Sequence, residues 1–261
     1  MHILLTDETN LNASNQAKFF VYGGLFLDAE QLPLLTDRIT SIRANAGYQP
    51  TDEFKFDTRS RPAHVTIALA KDAKRQTIKA CQELQCRFIA NLVLHDIAKK
   101  KPQAALIEYG MNTVISQFHQ YLREHDKHGI VAVDRLTNHA EYQLLAKRFT
   151  TGLELHTKTS VPLGRVHLFS ATCTNASHAS SALDIVLGAF RYCINDKKAT
   201  TAAMDMMKTV VPLLWHERDG ENIYALERGL VFRPKKVQVP AYQTEYDNLL
   251  KHINTLLKAQ P

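Results

Sequence analysis

The sequence lacks the motifs that mark the commonest catalytic and metal sites. Its four cysteines, Cys81, Cys86, Cys173 and Cys193, form no Cys-x-x-Cys pair and no zinc-binding spacing, so we expect reduced thiols in a cytoplasmic protein. No glycine-rich phosphate loop and no Gly-x-Ser-x-Gly motif occurs, which excludes the sequence signatures of P-loop nucleotidases and α/β-hydrolases. No apolar run approaches the roughly 18 residues of a membrane span. The first residues hold no basic or long apolar segment, so we also expect no signal peptide.

The sequence does contain enough apolar residues for a large core, together with an excess of positive charge. Its 261 residues are 45% hydrophobic, which predicts one large folded domain, or one domain with an appendage. The formal net charge of +6 favours a polyanionic partner such as nucleic acid.

Short apolar runs alternate with amphipathic stretches, a pattern that predicts an α/β fold. The apolar runs predict buried strands from residue 3 and over 19–27, 86–94, 129–134 and 166–170. Apolar residues spaced three and four apart predict helices over 30–46, 63–84, 102–125, 138–149, 182–194, 200–215 and 242–258. The first two strands are separated by a short polar stretch, which predicts a hairpin.

Acidic residues stand where two of the predicted strands end. Asp7 and Glu8 follow the first apolar run, and side-chain alternation places them on opposite faces of the strand. Asp134 closes the strand 129–134 and is followed by a loop and a helix. Open α/β sheets keep their chemistry beyond the carboxyl ends of their strands, so these acids are candidate site residues. The alternative is that they are ordinary turn acids.

Two further acids lie outside the strands. Glu53 and Lys55 share one face of a short extended segment, either as a solvated ion pair or in a polar cleft. Asp184 is expected in the first turn of the helix 182–194, with Gly188 one turn later on the same face. The small glycine would let Asp184 approach another element closely. The alternative is stabilisation of the helix dipole by a first-turn acid.

Taken together, Asp7, Glu53, Asp134 and Asp184, with Glu8 as a fifth acid, suit a hard divalent cation. Mg²⁺ and Mn²⁺ prefer carboxylate and water oxygens. Two such ions about 3.5–4 Å apart activate a water molecule and stabilise the leaving oxygen in phosphodiester cleavage. Basic residues near these acids, Lys55, Arg59 and Arg135, would bind phosphate groups.

Four sequence features resemble the bacterial family known as domain of unknown function 3800. They are Asp7-Glu8-Thr9, Glu53-Phe54-Lys55, Val133-Asp134 and the stretch Ser-Ala-Leu-Asp-Ile-Val-Leu-Gly-Ala-Phe at 181–190. That family opens with Asp-Glu-Ser, carries a Glu-x-Lys and ends with a Gln-x-Ala-Asp-x-apolar-x-Gly-Ala helix. The resemblance covers roughly residues 3 to 195.

This resemblance implies a ribonuclease H-like fold, with a mixed sheet flanked by helices and a carboxylate-bound Mg²⁺ or Mn²⁺ site. Carried over residue by residue, it implies Asp7, Glu53, Asp134 and Asp184 as metal ligands and catalytic residues. Glu8 would be a further ligand and Lys55 a further catalytic residue.

The sequence departs from the family pattern at three places. Thr9 replaces the usual serine and keeps its hydroxyl, Ser181 replaces the glutamine before the last aspartate, and residues 171–177 hold no charge where the family has Asp-Ser-Lys. These departures put substrate contacts in doubt more than metal ligation, and they leave an inactive family member as an alternative.

We expect a ribonuclease H-like domain over 3–195 and a C-terminal helical and β appendage over 196–261 packed on the same domain. Three functions stay open. The first is a Mg²⁺- or Mn²⁺-dependent nuclease acting on DNA or RNA. The second is a non-catalytic nucleic-acid- or protein-binding member of the family, in phage defence or mobile-element biology. The third is a structural or regulatory protein whose acids serve only as caps and turn residues.

Overall fold

The computed structural model describes residues 1–12, 17–99, 101–135, 140–154, 160–173, 176–195, 200–220 and 222–259. The strands are β1 (His2–Thr9), β2 (Phe19–Asp28), β3 (Arg87–Leu94), β4 (Gly129–Asp134), β5 (Leu153–Glu154), β6 (Ser160–Val161), β7 (Val166–Thr172), β8 (Glu217–Asp219), β9 (Asn222–Tyr224) and β10 (Leu230–Arg233). The helices are α1 (Leu32–Asn45), α2 (Ile67–Glu83), α3 (His95–Ala98), α4 (Gln103–Glu124), α5 (Ala140–Thr151), α6 (His178–Asn195), α7 (Thr201–Val210) and α8 (Pro240–Lys258).

Among the described residues, six strands form one mixed sheet in the order β10-β3-β2-β1-β4-β7. Strand β2 runs antiparallel to both β1 and β3, which confirms the predicted hairpin. Strands β4 and β7 run parallel to β1, and β10 runs parallel to β3. This is the mixed sheet flanked by helices that the resemblance implies, so the predicted α/β fold class is confirmed.

The two faces of the sheet pack against different helices because neighbouring residues of a strand point to opposite sides. Leu5 of β1 belongs to an apolar cluster that includes residues of α1, α2, α6 and α8. Leu4 belongs to a second cluster, formed mainly with α4. Two glycines of β2 let the helices approach the sheet. A Cβ at Gly23 would lie 2.7 Å from Leu187 Cδ1 of α6, and one at Gly24 would lie 2.6 Å from Val114 Cγ1 of α4.

Two boundaries near the candidate residues differ from the sequence prediction. Strand β1 continues to Thr9, so its acids lie inside the strand rather than after it. Helix α6 begins at His178 instead of 182, so Asp184 lies in its second turn and the first-turn explanation for this acid is wrong. Ser180 and Ser181, which precede the predicted helix, lie within α6. Ser177 Oγ accepts a hydrogen bond from Ser180 N instead, at 3.1 Å, which is the bond that an N-cap residue makes.

Other boundaries agree within a few residues, with two larger shifts. Helix α7 ends at Val210 and not at 215. Helix α2 begins at Ile67, after Thr66 caps it, and not at 63. Residues 136–139, where the start of the helix predicted over 138–149 falls, lie outside the described residues. Among the described residues, no helix has both the length and the apolarity that a membrane span requires.

The segment after residue 195 contributes to the main sheet through β10, its edge strand next to β3. Helix α8 packs with it, because the buried Tyr246 hydroxyl accepts from Leu94 N and donates to Arg233 O, both at 2.9 Å. The division into a domain over 3–195 and an appendage over 196–261 packed on it stays a prediction.

Candidate metal and nuclease site

Asp7 and Asp134 stand side by side at the carboxyl ends of two parallel strands. Thr6 of β1 is paired with Val133 of β4. The residues that follow them, Asp7 and Asp134, are therefore neighbours across the two strands. Adjacent strands lie about 4.8 Å apart, and residues in register point to the same face. That face carries Leu5 and therefore lies under α6.

Helix α6 brings Asp184 to the same face of the sheet. Its Leu187 packs on Gly23 of β2, and Gly23 is the cross-strand partner of Asp7. One oxygen of Asp184, Oδ2, accepts a hydrogen bond from Phe56 N at 2.6 Å. A Cβ at Gly188 would lie 2.5 Å from Phe56 Cγ, so only glycine allows this approach. The predicted close approach of Asp184 to another element is confirmed, and the element is the segment around Phe56.

The electrostatics of Asp7 reflect this crowding of carboxylates. Burial raises the pKa of Asp7 to about 8, and the charges of Asp134, Glu8 and Asp184 act in the same direction. The hydrogen bond from Glu8 N to Asp7 Oδ1, at 2.7 Å, opposes the rise. In the metal-free protein Asp7 therefore carries a proton at neutral pH.

Asp184 is also partly buried, and basic residues lie near it. Burial raises the pKa of Asp184, while the Phe56 N–H and the charges of Lys55, Arg191 and Lys74 lower it. Asp184 therefore lies near both the other carboxylates and these basic residues.

Glu8 lies at the same strand end on the opposite face. Its cross-strand partner is Tyr22, whose hydroxyl bonds Thr6 Oγ1 at 2.9 Å on the face that packs against α4. Burial raises the pKa of Glu8, and the charge of Asp134 adds to the rise. Glu8 is thus coupled to the carboxylate group without sharing the face of Asp7.

Glu53 and Lys55 precede Phe56 in an irregular segment rather than the predicted extended one. Their side chains form an ion pair, with Lys55 Nζ 3.1 Å from Glu53 Oε2 and half of Glu53 exposed. The charges that act on Asp7 are those of Asp134, Glu8 and Asp184. The structure therefore places Asp7 within electrostatic reach of Asp134, Glu8 and Asp184, and it pairs Glu53 with Lys55.

Three hydroxyl residues adjoin the site and were not predicted. Thr172 is the register partner of Asp134 on β7, and its Oγ1 lies 3.4 Å from Ser180 Oγ. Ser181 Oγ is buried without a hydrogen-bond partner among the described residues. The predicted strand ended at 170, two residues before Thr172, so the sequence pattern hid the pairing with Asp134.

The carboxylates of Asp7, Asp134 and Asp184 fit a hard divalent cation, because such a cation prefers oxygen ligands and these carboxylates are only partly exposed. In the described part of the chain no three or more His, Cys, Asp or Glu side chains already converge as metal ligands do. Asp7 Oδ1 and Asp184 Oδ2 accept instead from the backbone N–H groups of Glu8 and Phe56. Each of these two carboxylates has a second oxygen for a cation, and Asp134 supplies a third group.

The comparisons find similar solved structures and no matching family. The chain is similar to one in the PCNA:RNase HII complex from Archaeoglobus fulgidus, at 11% identity and a TM-score of 0.43, covering 96% of this chain and 89% of that one. It is similar to a variant of Bst-RNase HIII at 13% identity and a TM-score of 0.40, covering 81% and 56% of the two chains. It is similar to the ribonuclease H2 from Pyrococcus horikoshii OT3 at 12% identity and a TM-score of 0.43, covering 80% and 86%. No protein-family model and no curated protein matches the sequence, so the likeness to domain of unknown function 3800 stays a resemblance.

Proposed function

We propose that this chain is a metal-dependent nuclease that hydrolyses phosphodiester bonds in nucleic acid and binds Mg²⁺ or Mn²⁺ between Asp7, Asp134 and Asp184. The observation that carries the proposal is the burial of Asp7 beside the other two carboxylates, which raises its pKa to about 8. Burial of like charges is costly unless a proton or a cation neutralises them. A divalent cation that prefers carboxylate oxygens would neutralise this group.

The residues around the three carboxylates have separate roles in this proposal. When bound, Mg²⁺ or Mn²⁺ activates a water molecule and stabilises the leaving oxygen. The Phe56 N–H holds one oxygen of Asp184 and leaves the other for the cation. Lys55, a third of whose side chain is exposed, binds a phosphate oxygen of the substrate strand. Glu8 and Glu53 are proposed as further ligands on the resemblance. In the structure Glu8 is coupled to Asp134 and Glu53 is paired with Lys55.

Cleavage and Mn²⁺ binding should be measured on the same variants. We expect Asp7→Asn, Asp134→Asn and Asp184→Asn each to weaken Mn²⁺ binding about tenfold or more and to lower Mn²⁺-dependent cleavage about a hundredfold or more. The matched control is Asp205→Asn, since Asp205 is exposed on α7 and pairs with Lys208. Cleavage by Asp7→Asn or Asp134→Asn at the rate of the unaltered protein would contradict the assignment.

One observation favours the alternative of a nucleic-acid-binding protein without hydrolysis. Oxygens of Asp7 and Asp184 are held by backbone N–H groups, and the described carboxylates do not already converge as metal ligands. Such a protein would bind nucleic acid with a steep salt dependence. It would cleave neither DNA nor RNA at any Mn²⁺ concentration, and its three aspartate variants would bind nucleic acid as the unaltered protein does.

A further inference from the structure

A cavity lies beside the segment around Phe56, whose N–H binds Asp184. We call it the basic pocket, and its volume is about 410 Å³. Its lining includes five cationic side chains and one carboxylate: Arg59, Lys71, Lys74, Arg75, Arg191 and Asp57. Asp57 pairs with Arg59 at 2.8 Å, and Arg59 extends into solvent. In the part of the chain that the structure describes, the other four cations have no carboxylate within ion-pair distance, so the pocket has a large excess of positive charge.

Lys74 is the most informative of these cations because only 3% of it is exposed. Its Nζ donates to Phe56 O at 2.8 Å and to Thr58 Oγ1 at 3.0 Å. An ammonium group has three donors, so one is left for a ligand. No carboxylate of the described residues lies within ion-pair distance of this buried charge, and Asp57 and Asp184 act on it from farther away. An anion in the pocket would therefore stabilise it.

Arg191 connects the basic pocket to the carboxylates along α6. It follows Asp184 by seven residues, two helical turns, so the two side chains share a face about 10 Å apart. Arg191 Nε is buried and has no hydrogen-bond partner among the described residues. Phe56 links the two sites directly, since its N–H bonds Asp184 and its carbonyl bonds Lys74.

The remaining walls of the basic pocket are apolar and aromatic. Phe56, Tyr192, Ala202 and Met206 line it, and 40% of Tyr192 is exposed. An exposed aromatic ring beside cations suits a nucleobase attached to a phosphate, because bases stack on aromatic side chains.

We propose that the basic pocket binds the phosphorylated end of a nucleic-acid strand, with the terminal phosphate on Lys74 and Arg191 and the terminal base against Tyr192. The proposal rests on the proposed function in taking a nucleic-acid strand as the substrate. It goes further by assigning recognition of a strand end. The excess of positive charge selects the end, because a terminal phosphate monoester carries a charge of about −1.5 to −2, whereas each phosphate along the backbone carries one. The separation of about 10 Å places the cleaved bond about three stacked nucleotides from that end.

The test measures the binding of single-stranded oligonucleotides that carry an internal fluorophore. Fluorescence anisotropy in the presence of EDTA reports the binding. The strands share one sequence and end in a 5′-phosphate, a 3′-phosphate or hydroxyls only. Because no metal is present, the result does not depend on cleavage. We expect one phosphorylated end to bind about tenfold or more tightly than the hydroxyl-ended strand, and the preferred end identifies the polarity. Equal binding of all three strands would overturn the proposal, even if Mn²⁺-dependent cleavage is observed.

Variants of residues on α2 test whether the preference for a phosphorylated end depends on the basic pocket. Lys74→Met should abolish the preference for the phosphorylated end, whereas Lys79→Met should keep it, because Lys79 lies on the same helix with 71% of its side chain exposed and outside the pocket lining. Arg75→Leu, at an exposed lining position, serves as a second pocket variant if Lys74→Met does not fold. Retention of the full preference by a folded pocket variant would overturn the assignment. Competition by free adenosine monophosphate as strong as that of the phosphorylated strand would also overturn it, in favour of a site for free nucleotides.

Discussion

At the scale of single residues, the partly buried carboxyl group of Asp7 makes the site dependent on pH. Its pKa is about 8 in the folded protein and 3.8 is the ordinary value. The folded state therefore binds the proton more tightly than the unfolded state does. Stability from this group is fully present below about pH 4 and is lost as the pH rises from about 4 to about 8.

Asp7→Asn should therefore stabilise the metal-free protein at high pH. Asparagine carries no charge to bury, so the gain in free energy of unfolding should be below about 1 kcal/mol at pH 4 and reach about 5 kcal/mol at pH 8. Urea unfolding in EDTA at the two pH values measures the gain. Asp205→Asn, at an exposed position, is the control and should show no such difference. A gain that is the same at both pH values would contradict the assigned pKa.

The sequence reveals some of these residues and conceals others. Asp7 and Asp134 could be predicted because each ends an apolar run, and the parallel pairing of β1 with β4 then makes them neighbours. Thr172 could not be predicted, because the apolar pattern of β7 ends before the strand does. The environment of Glu53 could not be predicted either, because it depends on an irregular segment without a periodic pattern.

At the scale of elements, the position of α6 against the segment around Phe56 determines the orientation of Asp184. The apolar stripe of α6 was visible in the sequence, but its start was not, because its first turn is short and polar. Ala179, Ser180 and Ser181 are buried there, and a buried serine resembles a loop residue in a hydrophobicity pattern.

Gly188→Ala tests the contact between α6 and Phe56, because the substitution either stabilises or destabilises the protein. Inside a helix, alanine is ordinarily more stabilising than glycine by about 1 kcal/mol. Here the new Cβ would lie 2.5 Å from Phe56 Cγ, so we expect a loss of about 1–3 kcal/mol in free energy of unfolding and weaker Mn²⁺ binding. Thermal unfolding and Mn²⁺ titration measure the two effects.

Gly164→Ala is the matched control, because nothing lies within 4 Å of the Cβ position at Gly164. It should leave both properties close to those of the unaltered protein. Stabilisation by Gly188→Ala would show that the segment around Phe56 does not depend on this glycine.

At the scale of the whole molecule, the C-terminal segment is tied to the sheet by Tyr246. Its hydroxyl bridges Leu94 N at the end of β3 and Arg233 O at the end of β10. The sequence predicted the amphipathic helix that carries Tyr246, but it could not reveal that β10 joins the main sheet. Four residues separated from β3 by more than a hundred positions give no local signal of their pairing.

Tyr246→Phe should cost about 1–3 kcal/mol in free energy of unfolding, because the buried Leu94 N–H loses its hydrogen-bond acceptor. The control is Tyr224→Phe, since 49% of Tyr224 is exposed. Urea unfolding should show one cooperative transition that shifts as a whole in Tyr246→Phe. Two separate transitions, with only one of them shifted, would indicate that residues 196–261 unfold on their own.

The most direct test of the proposed metal site is anomalous diffraction from crystals soaked in millimolar Mn²⁺. We predict an anomalous peak between Asp7, Asp134 and Asp184, with oxygen ligands from at least two of these aspartates at the 2.0–2.2 Å or so that such cations require. The peak should disappear in Asp134→Asn crystals grown and soaked in the same way. Absence of any peak at these carboxylates, in crystals where other sites take up Mn²⁺, would contradict the assignment of a metal-dependent nuclease and favour nucleic-acid binding without hydrolysis.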